Sequence, residues 1–315
     1  MPELALSALT FPEFSPALIE VFGFPIRWYA LSYIAGLLLA WRYATYLVRR
    51  PALFGGESPA NADQIDDIIF YVMLGVILGG RLGYILFYQV PFQFDRILDD
   101  PLMLLRVWEG GMSFHGGLIG VALAIILYAR AKGLKLLGLA DIAGVVTPIG
   151  LLLGRFANFI NAELYGRYTD SPIGVVFPEG CPRSADGYCI PSTPPSYDWV
   201  NKVWVYAGDE MPRHASQLYE AALEGLVPMI VIGVLALRFG ILKRPGLAAG
   251  LFVLMYGVGR SIAEQFREPD AHIEFLAGDW LTMGFLLSVP MWLGGAWLLW
   301  QGLKATPASE ATQKA

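Results

Sequence analysis

Charged residues are scarce in this 315-residue chain. Only 16% of its residues are charged and 56% are apolar, whereas a typical soluble domain is about 25% charged and about 45–50% apolar. The shortage of charge indicates a protein whose solvent is largely lipid. The 22 lysines and arginines are scattered and the net charge is -5, which argues against a nucleic-acid binder, because phosphate neutralisation needs clustered basic residues.

Cysteine and histidine are scarce as well. The two cysteines, Cys181 and Cys189, lie in a polar stretch, with neither a CxxC spacing nor a Cys/His pattern that would bind a metal. We therefore expect neither a metal site nor a cofactor. The first twenty residues lack the basic start and the apolar run of a signal peptide, so we expect the N-terminus to be retained.

Long apolar segments dominate the rest of the chain. A bilayer core of roughly 30 Å needs about 20 mainly apolar residues per helix, and seven stretches meet this criterion. They cover approximately Trp28–Val48, Ile68–Tyr88, His115–Ala131, Leu139–Ile160, Leu218–Phe239, Leu247–Phe266 and Leu281–Leu303. The sequence thus predicts an all-α integral membrane protein with about seven transmembrane helices, organised as a single polytopic membrane domain over residues 1–315.

The lysines and arginines of the short connections predict the orientation. They follow the first, third, fifth and seventh segments, so alternate connections carry the basic bias that is typical of the cytoplasmic side. This places the N-terminus outside and the C-terminus in the cytoplasm. Residues 162–214, between the fourth and fifth segments, are too polar to span and are predicted to form an extracytoplasmic insertion. An oxidising exterior would allow Cys181 and Cys189 to form a disulfide.

Charged groups inside the apolar segments are the candidates for function. A charge within a span costs about 2.5–3.5 kcal/mol on insertion scales, so such residues are functional candidates by default. Arg155 and Asn158 are three residues apart, and Arg260 and Glu264 are four apart, so each pair shares a helix face. Two helices therefore each offer a guanidinium with a hydrogen-bonding neighbour, a combination that suits the phosphate of an anionic lipid.

Other polar groups permit a structural interpretation as readily as a functional one. Arg81, in a glycine-rich part of the second segment, could pair with an acid or extend towards the interface. His115, at the start of the third segment, could be an interfacial histidine. His214 and Glu220, near the fifth segment, are interpreted as capping and positioning groups, and His272 as structural.

Several motifs resemble the prolipoprotein diacylglyceryl transferase family, from about Pro25 to Met291. The strings that carry the resemblance are WYA at Trp28–Ala30, GGMSFHGG at Gly110–Gly117, GRFANFINAELYGR at Gly154–Arg167, HASQLYE at His214–Glu220, and the segment Arg260–Asp270 with its REPD end. Two positions depart from the family pattern, with Ala215 in place of a proline and Phe285 in place of a glutamine. Both lie outside the expected centre of the site.

The resemblance implies an enzyme of the bacterial inner membrane, with its active site towards the outer leaflet. Its reaction would move the diacylglyceryl group of phosphatidylglycerol to the lipobox cysteine of a prolipoprotein signal peptide, with release of glycerol phosphate. This is the first step of lipoprotein maturation. The implied partners are phosphatidylglycerol, prolipoprotein signal peptides and membrane lipid.

Residue roles follow from the same resemblance. Arg155 and Arg260 would stabilise the charge that develops on the departing phosphate, and His115 is the expected general base for the thiol. The arginines alone could instead favour the thiolate and leave His115 to orient the lipid. The residues expected to bind or orient the substrate are Tyr29, Arg81, Gly116, Asn158, Glu163, Gly166 and Glu264.

Two other classes of protein fit the composition. A lipid or solute transporter also carries charges within its spans, but here the charges gather near one surface and no internal repeat is found. A membrane scaffold would use the polar insertion as a binding module. A scheme with Cys181 or Cys189 as the enzyme's own nucleophile is disfavoured, since both are far in sequence from the charged residues.

Overall fold

The computed structural model describes residues 8–92, 94–106, 110–178, 197–198, 200–204, 211–268, 276–278 and 280–304. Cys181, Cys189 and His272 lie outside these residues, so the disulfide and the structural role suggested for them stay predictions. The chain divides into two compact units. The first contains the described residues of 1–40, 143–241 and 246–305, and the second those of 41–142 and 242–245.

The described part of the chain is mainly helical. Its α-helices are α1 Trp28–Val48, α2 Ala62–Tyr84, α3 Val90–Phe92, α4 Phe94–Asp99, α5 Phe114–Lys132, α6 Leu136–Ile160, α7 Ser216–Glu220, α8 Val227–Arg238, α9 Leu247–Ala263 and α10 Met283–Lys304. Two π-helical turns, Ile85–Gln89 and Ala221–Leu226, prolong α2 and join α7 to α8. Short 3-10 turns lie at Pro51–Phe54, Pro101–Leu105 and Ile241–Lys243.

Six helical stretches of the described residues are long and apolar enough to cross a bilayer. They are Trp28–Val48, Ala62–Gln89, Phe114–Lys132, Leu136–Ile160, Ser216–Arg238 and Met283–Lys304. Leu247–Ala263 is also apolar but has 17 residues. The prediction of a helical integral membrane protein is confirmed, whereas the count of seven spans and the orientation stay predictions.

Local sequence signals explain where α2 and α5 begin. Asn61 accepts a hydrogen bond from Gln64 N at 2.8 Å, and the Gln64 side chain accepts one from Asn61 N at 2.9 Å, which makes a reciprocal capping box. Ser113 Oγ accepts from Gly116 N at 3.2 Å and caps α5 in the same manner. Gly133, with a φ of 66°, ends α5 in the left-handed conformation.

In the second unit, α2 and α5 pack at very short range through glycines. A Cβ at Gly75 or Gly79 would overlap the backbone of Gly120, and a Cβ at Gly83 would overlap that of Gly116. Small residues at such a crossing allow two backbones to touch, as is common between membrane helices. The crossing fixes the start of α5, where His115 lies.

Among the described residues of the first unit, six short strands accompany the helices. They are β1 Leu9–Thr10, β2 Ala17–Val21, β3 Phe24–Arg27, β4 Val175–Val176, β5 Tyr197–Asp198 and β6 Val203–Trp204. Strand β1 pairs in parallel with β4, β2 in antiparallel with β3, and β5 in antiparallel with β6.

Residues before the first span contribute to the core of the polar insertion. Phe11 is 1% exposed, and its ring centroid lies 5.5 Å from that of Phe159, 5.4 Å from that of Phe177 and 5.8 Å from that of Trp204. The pairing of β1 with β4 delivers Phe11 to this position. The insertion therefore shares its core with the N-terminal segment.

Candidate active site

An arginine–glutamate cluster connects three helical elements of the first unit. Its members are Arg155 on α6, Glu220 and Glu224 on the α7–α8 helix, and Arg260, Glu264 and Arg267 at the end of α9. Glu220 lies at its centre, with its carboxylate oxygens 3.2 Å from Arg155 Nη1, 2.6 Å from Arg260 Nη1 and 3.6 Å from Arg267 Nη1. One carboxylate thus holds guanidiniums that are far apart in sequence.

Glu224 forms the second bridge of the cluster. Its Oε2 atom is 3.1 Å from Arg155 Nη2, and its Oε1 atom is 3.7 Å from Arg260 Nη1. Both α7–α8 glutamates are completely buried, whereas the side chains of Arg155 and Arg260 are 16% and 14% exposed. The carboxylates therefore have no accessible surface, whereas the two arginine side chains keep some.

The charges of the cluster cancel within it. Three arginines and three glutamates contribute equal numbers of positive and negative charges. A buried charge is tolerated only when it is paired, and each glutamate of the cluster has a guanidinium as its ion-pair partner. The buried atoms Glu220 Oε2 and Glu224 Oε1 accept no hydrogen bond from the described residues. The guanidiniums of Arg155 and Arg260 each have five N–H donors, more than their ion pairs with Glu220, Glu224 and Glu264 use.

Glu264 is held from two sides. It forms an ion pair with Arg260 one helical turn earlier, and it accepts a hydrogen bond from the Thr282 hydroxyl. Thr282 Oγ1 in turn accepts from Phe285 N at 3.1 Å, at the beginning of α10. A Cβ at Gly284 would overlap the Glu264 carboxylate. The start of α10 therefore fixes Glu264 and, through it, Arg260.

Two glycines allow the elements of the cluster to approach one another. A Cβ at Gly225 would overlap the backbone of Leu152 on α6, and a Cβ at Gly259 would overlap that of Leu223. Each glycine is next in sequence to a cluster residue. The π-helical turn over Ala221–Leu226 changes which side chains of this helix share a face. Such turns are frequent at functional sites.

Asn158 and Glu163 form a second polar group at the end of α6. Asn158 Nδ2 donates to Glu163 Oε1 at 2.9 Å, and Gln217 Nε2 donates to the Glu163 backbone oxygen at 2.7 Å. Tyr29, whose hydroxyl is 3.2 Å from that of Tyr33, lies close to Asn158 and Glu163. The structure therefore brings together three of the residues that the sequence predicts to bind lipid.

Gly166 lies where three backbone segments meet. Its N–H donates to His214 O at 2.8 Å, and Arg167 N donates to Phe266 O at 2.8 Å. Arg167 Nε also donates to the Arg267 backbone oxygen at 2.9 Å. A Cβ at Gly166 would overlap Phe266 O and His214. The segment thus holds the end of α9, which carries three members of the cluster.

His214 lies outside the spans, against aromatic rings. Its Nδ1 atom is 3.2 Å from the Tyr219 hydroxyl, and its ring packs edge-on against Phe266. Burial lowers the pKa of His214 below its ordinary value of 6.5, and the positive charge of Arg167 lowers it further. The neutral imidazole is therefore the form that this environment favours.

Arg81 lies in the second unit and is 8% exposed. Its guanidinium donates to four backbone oxygens: Leu104 O at 2.8 Å, Gly110 O at 2.8 Å, Gly111 O at 3.1 Å, and Met103 O. These bonds fasten the segment before α5 to α2.

His115 is the second residue of α5, also in the second unit, and is exposed. Ser113 N donates to Gly80 O at 2.9 Å, and Gly116 packs against Gly83, so the backbone on both sides of His115 is held by α2. Among the predicted site residues, Arg81, His115 and Gly116 belong to the second unit. The others, from Tyr29 to Glu264, belong to the first.

Sequence reasoning missed Glu224, whereas it interpreted Glu220 as a capping and positioning group. The two residues are four apart within an apolar stretch, so the rule that marks intramembrane charges as functional candidates would have found them. Among the described residues, no group of three or more His, Cys, Asp or Glu side chains is placed to hold a metal ion.

The chain is similar to one family of known proteins over nearly its whole length. The family described as prolipoprotein diacylglyceryl transferase matches residues 16–301. A phosphatidylglycerol–prolipoprotein diacylglyceryl transferase of Sinorhizobium medicae (strain WSM419) is 45% identical over 305 residues, which cover 96% of this chain and 98% of the relative. The protein of the same name from Phenylobacterium zucineum (strain HLK1) is 46% identical over 297 residues, covering 94% and 95% of the two chains.

Proposed function

The chain belongs to the prolipoprotein diacylglyceryl transferase family, and on this premise we propose that its arginine–glutamate cluster binds the phosphate of phosphatidylglycerol during transfer of the diacylglyceryl group to a prolipoprotein. This transfer is the first step of lipoprotein maturation. The family assignment favours the enzyme over the transporter and the scaffold that the composition also allowed.

The position of the guanidiniums in the cluster carries the proposal. The side chains of Arg155 and Arg260 keep exposed surface, while Glu220 and Glu224, their partners, are completely buried. A phosphate that approaches this exposed surface meets N–H donors and no carboxylate of this pair. Forked, charge-assisted hydrogen bonds from arginine to phosphate are among the strongest that side chains make.

The same arrangement suits the chemistry of the transfer. The cysteine sulfur of the prolipoprotein forms a bond to the terminal carbon of the diacylglyceryl group, and the bond from that carbon to the phosphate oxygen breaks. The electron pair leaves with glycerol phosphate, so negative charge grows on the phosphate. Arg155 and Arg260 stabilise this charge, and the buried glutamates keep the guanidiniums in place before it develops.

His115 accepts the thiol proton in this mechanism. A free thiol has a pKa of about 8.5, so the thiolate needs a base or a positive field. Imidazole is the side chain that changes protonation near neutral pH. The role rests on the family motif and on the fixed backbone around His115. If the His115→Gln variant keeps most of the transfer rate at saturating lipid, His115 is not the base, and its role is to orient the lipid.

The lipid headgroup is bound by a second set of residues, namely Tyr29, Asn158, Glu163 and Gly166. The carboxylate and amide of Glu163 and Asn158 are hydrogen-bonding groups that suit the glycerol hydroxyls of phosphatidylglycerol. Glu264 orients Arg260.

Arg81 and Gly116 hold the backbone on the two sides of His115. The Arg81 guanidinium donates to four backbone oxygens, which supports a positioning role for the segment before His115. Gly116 permits the close crossing of α2 and α5. The earlier expectation of direct lipid contact by Arg81 stays a prediction.

The enzyme works in the inner membrane, with the site towards the outer leaflet. The basic residues that follow α1, α5 and α8 support cytoplasmic positions for these helix ends. The ends of α6 and α9 that carry the cluster then lie on the opposite side. Cysteine accessibility to a membrane-impermeant reagent at Lys135→Cys, in whole cells and in broken cells, tests this orientation.

Transfer from phosphatidylglycerol to a lipobox peptide tests the function. Purified protein in lipid vesicles receives phosphatidylglycerol labelled in its diacylglyceryl part and a peptide with the lipobox cysteine. We expect the label on the peptide and free glycerol phosphate in equal amounts, and no label on a peptide with serine in place of the cysteine. Movement of labelled lipid across the bilayer without labelled peptide would overturn the proposal.

A further inference from the structure

An exposed β-hairpin directly precedes the first span. We call Ala17–Arg27 the N-terminal hairpin, which consists of β2, a two-residue turn and β3. Phe22 and Gly23 form the turn with φ angles of 51° and 81°. Two successive residues with positive φ are the mark of a type I′ turn, whose twist suits a two-residue hairpin.

One face of the N-terminal hairpin is entirely apolar. Ile19 is paired with Ile26, and Val21 with Phe24. Paired residues and residues two apart share a face, so these four side chains lie together. The other face carries Glu20 opposite Pro25.

The apolar face is open in the folded chain. Ile19 is 52% exposed, Val21 39% and Phe24 78%, and Phe22 at the tip is 99% exposed. Exposed apolar surface of this kind marks an interaction surface.

Phe22 is an unfavourable residue for its position as far as folding is concerned. A left-handed backbone is strained for a bulky side chain, and glycine or asparagine would fit the turn better. The phenyl ring gains nothing within the chain, because it is 99% exposed. Strain that is kept where it brings no internal contact indicates that the ring contacts something outside the protein.

The N-terminal hairpin is fixed relative to the first span. Arg27 ends β3 and Trp28 begins α1, and Trp28 N donates to Pro16 O at 3.1 Å, which closes the base of the hairpin. Glu20, on the opposite face, contacts the insertion, where Lys202 Nζ is 3.3 Å from Glu20 Oε2. The apolar face therefore stays at the end of a membrane helix, α1, on which apolar side chains such as Ile34 are also exposed.

We propose that the N-terminal hairpin lies in the bilayer interface, with Phe22 and the face formed by Ile19, Val21, Phe24 and Ile26 in contact with lipid. Lipid is the occupant because the chain passes from Arg27 into an apolar span without a linker. An aromatic side chain beside a span is typical of the boundary between headgroups and acyl chains. The hairpin would then act as an anchor that holds the polar insertion close to the membrane.

Spin labelling in vesicles of phosphatidylglycerol and phosphatidylethanolamine tests this proposal. Each spin label is attached to one introduced cysteine, in a background of Cys181→Ala and Cys189→Ala. The three variants are Phe22→Cys at the tip, Glu20→Cys on the opposite face and Ile34→Cys on α1. Collision rates with oxygen, which concentrates in lipid, and with a water-soluble nickel chelate report the depth of each label. We expect a ratio of oxygen to nickel collisions at position 22 that is several-fold higher than at position 20 and approaches that at position 34.

Two results would overturn the proposal. Equal ratios at positions 22 and 20 would place the tip in water. Low collision rates with both reagents at position 22 would place it against protein, either a second copy or a substrate. Phe22→Asn keeps a residue that tolerates the left-handed turn, so the same measurement from a Phe24→Cys label in that variant tests the contact without loss of the hairpin. There we expect the ratio at position 24 to fall, and an unchanged ratio would contradict the role of the Phe22 ring.

Discussion

Glu224 Oε2 lies 3.1 Å from Arg155 Nη2, and the glutamate has no exposed surface. The two residues are on different helices, 69 positions apart. The arginine that the sequence marks as a phosphate ligand is thus held from behind by a buried carboxylate. A guanidinium oriented before the lipid arrives loses less freedom when it binds the phosphate.

Glu224→Gln tests this support. The amide keeps the shape of the side chain but leaves the charge of Arg155 less compensated in a buried place, and breaking a buried pair costs about 3–5 kcal/mol. We expect a lower thermal midpoint and a reduced transfer rate, measured in the same detergent and lipid. Glu57→Gln, which removes an exposed ion pair with Lys135, is the matched control and should change neither quantity. Wild-type midpoint and rate in Glu224→Gln would show that the pair is dispensable.

The close packing of the α7–α8 helix against α6 can be tested at Gly225. A methyl group at Gly225 would overlap the backbone of Leu152, so Gly225→Ala has to push the two helices apart. Overpacking of this kind costs about 1–3 kcal/mol, and it also lengthens the distance from Glu224 to Arg155. Gly150→Ala on α6 places its methyl group in open space and serves as the control. Equal thermal midpoints for the two variants would contradict the packing.

A substitution of Arg81 can distinguish a role in positioning the segment before α5 from direct binding of the lipid. Arg81→Lys keeps the charge but cannot bond four backbone oxygens, so the segment before α5 loses its fastening. We expect faster hydrogen exchange at the amides of residues 110–113 and a lower kcat with little change in KM. A lipid ligand would instead raise the KM for phosphatidylglycerol and leave exchange at residues 110–113 unchanged.

The lowered pKa of His214 in the folded protein predicts how the stability of the protein depends on pH. Because burial and Arg167 lower its pKa in the folded protein, the unfolded chain binds the proton more readily. Stability from this group is complete above the ordinary pKa of 6.5 and is lost as the pH falls through the lowered value. The thermal midpoint of the wild type should drop between pH 7 and pH 5 more steeply than that of His214→Asn, which does not titrate. Parallel curves would show that His214 titrates as it does in the unfolded chain.

The sequence predicts the long apolar helices well, because each is a local property, whereas the count of seven spans stays a prediction. An apolar run of sufficient length determines a helix, and Trp28–Val48 was predicted with the bounds that the structure has. The fifth segment was also found, but its π-helical turn over Ala221–Leu226 was not. That turn depends on the packing of Gly225 against α6, which no local pattern encodes.

Contacts between distant residues could not be predicted in the same way. Arg155 and Arg260 were paired by their chemistry, whereas the carboxylates between them come from a third helix and were overlooked. Phe11 belongs to the first twenty residues, of which the sequence predicts only that they are retained, yet its ring lies in a core with Phe177. Such contacts follow from the tertiary packing of the chain and not from its local composition.

The transfer rate of Arg155→Lys at saturating phosphatidylglycerol tests the central claim most directly. Lysine keeps the positive charge opposite Glu220 and Glu224 and so spares the fold, but it lacks the forked donors that would hold the phosphate. We predict a loss of roughly a hundredfold in rate, comparable with the removal of one oxyanion donor, in a protein whose thermal midpoint is near that of the wild type, while Lys135→Ala keeps the full rate. A folded Arg155→Lys variant with the wild-type rate would contradict the assignment of the cluster to the phosphate.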